Sequence, residues 1–162
     1  MKFLHIDPIT NNINLFDDYV SQGKDVFVLI YLEGCGPCIA TRPEWKKIEN
    51  VLKDKYKSND NLVVIDVDQK LLEKMTTLKE EPKGFPTILY IKDKGKISEE
   101  YNEEEEKIFR KVDSFVKWID SKMKKQQGGK KRRNIKTRKS KRNMKTRKTK
   151  KNKNRKTRTN RK

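Results

Sequence analysis

The chain has 162 residues and a formal net charge of +19 at pH 7, an average that describes neither of its parts. Residues 130–162 hold 20 Lys and Arg and no Asp or Glu, while the remainder holds 22 basic and 23 acidic side chains, a net charge of −1. A near-neutral stretch of about 125 residues is enough for one compact core, and with no signal-peptide pattern or 18-residue apolar run in the sequence, neither a secretory leader nor a membrane-spanning helix is expected.

Phe3, Leu4 and Ile6 predict a short edge strand. Leu15, Phe16, Tyr19 and Val20 predict a first helix that stops at Gly23. Val26 to Leu32 is almost wholly apolar, the pattern of a central strand buried on both faces. Then comes Cys35-Gly36-Pro37-Cys38, which holds the only two cysteines of the chain. Trp45, Ile48, Leu52 and Tyr56 follow at helical spacing, and Pro43 within that helix predicts a kink.

Leu62 to Val67 reads as a second buried strand and residues 69–79 as a short helix. Thr87 to Ile91 is a third strand, and the turn Lys94-Gly95 leads to a fourth, Lys96 to Tyr101. Ile108, Val112, Phe115, Val116, Ile119 and Met123 share one stripe of a last helix. Alternating strands and helices, closed by a hairpin and a helix, predict an α/β fold: a mixed central sheet with helices on both faces. This domain covers 1–125, and Gln126-Gln127-Gly128-Gly129 opens a basic tail over 126–162.

Within the tail, Asn134 to Arg142 and Asn143 to Lys151 form a nine-residue near-repeat whose apolar members are Ile135 and Met144. A repeat with so little apolar content cannot offset its ordering entropy, so a disordered arm is expected. Twenty cations on such an arm bind polyanions by counterion release. No aromatic residue is present there to stack on bases, so the expected partner is non-specific nucleic acid, an acidic protein surface or an anionic membrane. The run KKRR at 130–133 has the form of a nuclear import signal. Two plainer accounts compete: a solvated extension, and an arm folded back on Glu99, Glu100 and Glu103 to Glu106, acids that also suit a helix start.

A Cys-x-x-Cys between a buried strand and a helix is suited to dithiol chemistry. Cys35 at the helix start meets unpaired backbone N–H groups and the positive end of the helix dipole, which favour its thiolate. Cys35 is then the nucleophile that forms a mixed disulfide, and Cys38, one turn on, resolves it. Pro37 stiffens the loop between the sulfurs. Other accounts of the pair are half a zinc site, a metal or cluster shared between two chains, and two plain core cysteines. Zinc wants four ligands, and the chain offers no third cysteine and one histidine, His5, to which no role is assigned. No cofactor or metal is expected. Cysteines two apart in a chain without a signal peptide suggest a reducing compartment, hence the cytoplasm.

These residues resemble the thioredoxin family. The CGPC matches its active site, Pro43 its helix-kinking proline, Asp66-Val67-Asp68 its strand end, and Gly84-Phe85-Pro86-Thr87 its cis-proline loop, over roughly residues 10–124. The resemblance implies a thioredoxin fold with Cys35 and Cys38 as a redox disulfide. Gly36, Pro37 and Pro86 would support the site, and the Phe85 backbone would pair with an extended substrate. It also implies protein disulfides as substrates and an unknown thiol reductant, and the proline in CGPC is similar to that of reducing members; the domain is expected to be monomeric.

Three positions depart from the family pattern. Gly34 stands where a tryptophan is usual, Leu29 where a buried acid is, and Val64 where a lysine often pairs with that acid. The expectation is a more open site and poorer proton handling at Cys38. The Gly-Gly hinge and Lys/Arg/Thr/Asn arm resemble tails on proteins of giant DNA viruses, which would put the chain in infected cytoplasm and in the virion, while the KKRR run would direct it to a nucleus. An opposite account keeps the domain as a non-catalytic binding or structural module and gives the function to the tail.

Overall fold

A computed structural model describes residues 1–78, 81–102 and 110–124. Two compact units are separable, Met1–Ile119 and Asp120–Lys162, and of the second only residues 120–124 are described. The first unit contains β1 (Lys2–Ile6), α1 (Ile13–Ser21), β2 (Asp25–Tyr31), α2 (Gly36–Lys55), β3 (Leu62–Asp68), a 3₁₀ helix (Gln69–Lys74), β4 (Thr87–Lys92) and β5 (Ile97–Glu100). A last helix, α3, covers 112–124. Ile108, Glu103 to Glu106 and the whole basic tail, with its expected disorder, lie outside the described residues.

The five strands form one sheet in the order β1-β3-β2-β4-β5. β1, β3 and β2 run parallel, and β4 and β5 antiparallel, so the sheet is mixed as the pattern of elements predicts. Every residue of β2 and β3 is buried, which explains their unbroken apolar runs: both faces are covered. On one face Val26, Val28, Ile30, Val63, Ile65 and Val67 pack with Phe16 and Val20 of α1 and with Leu71 and Met75. The opposite face carries an aromatic cluster. Phe27 stacks on Tyr90 at 4.5 Å and meets Trp118 edge-on at 5.3 Å, and Trp45 of α2 meets Phe115 at 5.2 Å. Such pairs add to burial because ring edges and faces carry opposite partial charge.

Gly23 ends α1 with a φ of +75°, a conformation that only glycine adopts without cost. The helix expected over 69–79 is shorter and tighter: it is 3₁₀ and stops at Lys74. Its start is fixed by the Asp68 side chain, which accepts the Lys70 N–H at 2.9 Å. Beyond its end, Asp17 of α1 captures the N–H groups of Thr76 and Thr77, donors that a longer helix would have needed for itself. β5 is an edge strand and all four of its residues are exposed. Among the described residues no helix is long and apolar enough to cross a membrane.

Candidate active site

The two cysteines sit where β2 hands over to α2. β2 ends at Tyr31, a four-residue loop follows, and α2 begins at Gly36 with Cys35 as its N-cap. Cys35 is in extended conformation, and its sulfur accepts the Cys38 backbone N–H at 3.3 Å. Its carbonyl takes the Ile39 N–H at 3.0 Å, which starts the helical ladder. The nucleophile expected from the sequence is thus also the capping residue, and one helix N-terminal donor, the Cys38 N–H, faces its sulfur. Cys35 and Cys38 are joined as a disulfide with Cα atoms 5.2 Å apart. Cys38 is fully buried, while Cys35 is partly exposed.

Pro37 lies in the first turn of α2, where its missing N–H costs nothing. Its carbonyl accepts the Thr41 hydroxyl at 2.8 Å. Pro43 lies inside α2, which continues through it to Lys55. Across from the sulfurs, the Phe85–Pro86 peptide bond is cis, and the Phe85 carbonyl oxygen lies 3.6 Å from Cys35 Sγ. The structure therefore brings Cys35, Cys38 and the Phe85-Pro86 segment together, with Gly36 and Pro37 between the sulfurs. Thr87 anchors the loop by donating its hydroxyl to Gly84 O at 2.7 Å.

Gly34 has a φ of +80°, and a Cβ built there would meet nothing within 4 Å. The glycine is thus required by the backbone and not by crowding. Beside it, Glu33 and Lys70 form an ion pair at 2.9 Å, which draws the Glu33 carboxyl below its usual range. Leu29 is fully buried, and so is Val64. No charge is left unpaired at these two positions, in keeping with their joint replacement.

Several charged side chains gather around the C-terminal ends of β1, β3 and β2. His5 Nδ1 hydrogen-bonds Asp66 Oδ2, and its Nε2 lies 3.4 Å from Asp7. The Arg42 guanidinium lies 3.7 Å over the Tyr31 ring. Burial is the main cause that pushes the Tyr31 phenol up to about 12; Arg42 opposes it, and Asp68, Asp66 and Asp7 add to it. The available sequence signal was Asp66 itself, a carboxylate in the strand Leu62–Asp68, which is otherwise apolar except at its last residue. Among the described residues no three His, Cys, Asp or Glu side chains converge as a metal site.

Comparison with known proteins decides the family. A sequence model described as Thioredoxin matches residues 7–121. The chain belongs to the thioredoxin family. It is 31% identical over 116 residues to a protein disulfide-isomerase of Ricinus communis, covering 70% of this chain and 20% of that protein. To the human protein disulfide-isomerase A4 it is 30% identical over 104 residues, covering 64% of this chain and 15% of that one. The chain thus spans about a fifth or less of the length of these relatives. Among solved structures, the zinc-bound form of human ERp44 superposes with a TM-score of 0.55 at 18% identity, over 74% of this chain and 31% of that one. The J-Trx1 fragment of ERdj5 gives 0.54 at 18% identity, over 75% and 52%. At these identities the solved structures speak for the thioredoxin fold alone.

Proposed function

We propose that the chain is a thiol–disulfide oxidoreductase that reduces or exchanges protein disulfides through Cys35 and Cys38. The observation that carries this reading is the Cys35 sulfur at the N-terminus of α2, hydrogen-bonded by the Cys38 N–H and bridged to Cys38 beside the Phe85 carbonyl. In the dithiol form the same donor and the positive end of the helix dipole favour a Cys35 thiolate. That thiolate attacks one sulfur of a substrate disulfide, a mixed disulfide forms, and Cys38 displaces the substrate as it closes the Cys35–Cys38 bridge. The protein disulfide-isomerases among its relatives support protein substrates. The partly buried Phe85, with exposed Leu32 and Ile39 flanking the cysteines, suits an extended apolar stretch.

The test is reduction of insulin by the full chain in the presence of a thiol reductant. Activity that disappears in Cys35→Ser supports the reading, and a wild-type chain without activity overturns it. Equilibration in glutathione buffers then fixes direction. A potential well below the glutathione pool means a reductase with a dedicated electron source, and one well above it means an oxidant or isomerase.

The basic segment 130–162 is proposed to tether this activity to polyanions, on the strength of its 20 cations without an intervening acid. Binding to single- and double-stranded nucleic acid should weaken linearly in log–log terms as salt rises, and should vanish when 130–162 is deleted. Insulin reduction should be indifferent to that deletion.

A further inference from the structure

The C-terminal ends of β1, β3 and β2 line an open hollow of about 260 Å³, and its charges are unevenly matched. Each acid there is held by a donor. Glu33 takes Lys70 Nζ at 2.9 Å, Asp68 takes the Lys70 N–H at 2.9 Å, and Asp7 takes the Ile9 and Thr10 N–H groups at 2.9 and 2.7 Å. Arg42 lines the same hollow and is not matched. Among the described residues no carboxylate comes within ion-pairing distance of its guanidinium, and its buried Nε has no hydrogen-bond partner. Arg42 acts on Tyr31, Glu33 and Asp66 across space, without contact to either acid.

What holds Arg42 is a ring. Its guanidinium lies 3.7 Å from the centroid of Tyr31, a buried residue at the end of β2. Stacking fixes the guanidinium plane and leaves its N–H donors, which lie in that plane, without acceptors. A planar fork fixed in this way matches the two oxygens of a carboxylate. Donors without acceptors are costly in a folded protein, and a ligand that brings the acceptor removes that cost. The position suits a chain already docked for exchange. Glu33 lines the hollow and stands two residues before Cys35, so this wall lies within about 7 Å of the nucleophile, Cα to Cα. The sheet order β1-β3-β2-β4 sets the hollow on one side of Cys35 and the Phe85-Pro86 loop, which leads into β4, on the other. A substrate paired with the Phe85 backbone therefore has the hollow on the far side of its reacting sulfur.

On the oxidoreductase reading above, we propose that Arg42 is a specificity residue: it binds the carboxylate of an Asp or Glu side chain that the substrate polypeptide carries near its reacting cysteine. The acids of the hollow do not fill this place, because their own donors hold them. They do set its character. Asp7, Glu33 and Asp68 outnumber Arg42 and Lys70, so the hollow does not draw anions from a distance. Recognition here works by direct contact with the fork and acts on the strength of binding, with no part in the sulfur chemistry. Ile9, 92% exposed on the same hollow, offers an apolar wall to the stem of the acidic side chain.

The test uses the reduced full chain and short peptides capped at both ends, each with a single cysteine joined by a disulfide to an uncharged chromogenic aromatic thiol. The peptides differ only in holding Glu, Gln or Lys two residues before and two residues after the cysteine. Release of the aromatic thiol is followed against peptide concentration. The Glu peptide should half-saturate at a concentration about tenfold below the Gln peptide, with the same limiting rate. Arg42→Gln should bring that ratio to about one, and Arg42→Lys should restore only part of it, because an ammonium is a point charge and not a fork. Lys47→Gln, at an exposed cation of α2 paired with Glu44, should keep the wild-type ratio. A second readout needs no exchange: with serine in place of the peptide cysteine, the Glu peptide should shift the Arg42 Nε–H resonance of the oxidised chain, and the Gln peptide should not. Equal saturation by Glu and Gln peptides in the wild type overturns the proposal, as does a preference that survives in Arg42→Gln. Tighter binding of the Lys peptide overturns it too, and makes the acids of the hollow the receptor. Absence of aromatic thiol release with every peptide instead overturns the oxidoreductase reading, while the serine peptides still report on Arg42.

Discussion

Asp17 on α1 accepts both the backbone N–H and the hydroxyl of Thr77, at 3.0 and 2.6 Å, and does the same for Thr76 at 3.1 and 2.9 Å. One carboxylate thus ends the 3₁₀ segment and pins it to α1. Burial acts to raise the Asp17 carboxyl, and these four hydrogen bonds outweigh it and hold the group below its usual range. A depressed folded value stabilises the protein above the unfolded value of about 3.9, and that contribution is lost as pH falls through the folded value. Asp17→Asn should cost about 1–2 kcal/mol near neutrality, a figure kept modest because the site is largely solvated. Urea denaturation from pH 7 down to pH 2 should show the gap between wild type and variant narrowing in acid. A gap constant with pH would rule out this role for the carboxylate.

The capping geometry makes the two thiols unequal. Only Cys35 Sγ receives a helix N–H, and Cys38 is buried. Limited alkylation of the reduced chain at neutral pH, followed by peptide mass analysis, should find Cys35 modified first. Cys38→Ser should still trap a substrate on Cys35 as a stable mixed disulfide, because the resolving thiol is gone. Equal labelling of both cysteines would contradict the assignment.

Gly34 is held by its backbone. Gly34→Ala and Gly34→Trp should each lower unfolding free energy by about 1–2 kcal/mol, the cost of an L side chain at left-handed φ. Because nothing lies within 4 Å of the added Cβ, alanine should cost nearly as much as tryptophan. A stabilised tryptophan variant in a denaturant titration would show instead that the loop readily changes conformation.

Phe27 lies fully buried between Tyr90 and Trp118. Phe27→Ala should cost about 3–5 kcal/mol, the range for losing a large core aromatic. Thermal unfolding should report it as a drop in Tm, with a change in the near-ultraviolet signal of Trp118. A loss below 1 kcal/mol would mean that the cluster closes over the gap.

Much of this was legible in the chain. Val26 to Leu32 and Leu62 to Val67 read as doubly buried strands because apolar runs need two covered faces, and both strands lie inside the sheet. The CGPC and the Phe85-Pro86 loop lie 50 residues apart, and a resemblance, not periodicity, joined them. The helix expected over 69–79 was misjudged because Gln69 to Lys74 suits a helix, while what stops it is Asp17, more than fifty residues away in the chain. His5 and Asp66 escaped for a related reason. Their pairing depends on the register of β1 against β3, and no spacing within either strand encodes it.

β5 gives the sheet an exposed border with the sequence Ile-Ser-Glu-Glu. A protein that keeps Leu32 and Ile39 exposed beside a reactive sulfur is at risk of sticking to its own copies. Open strand edges are where such sticking becomes an ordered stack. Two carboxylates on four residues set like charge against like when β5 of one molecule approaches β5 of another. The charge on this border therefore works against the pairing of one β5 with another.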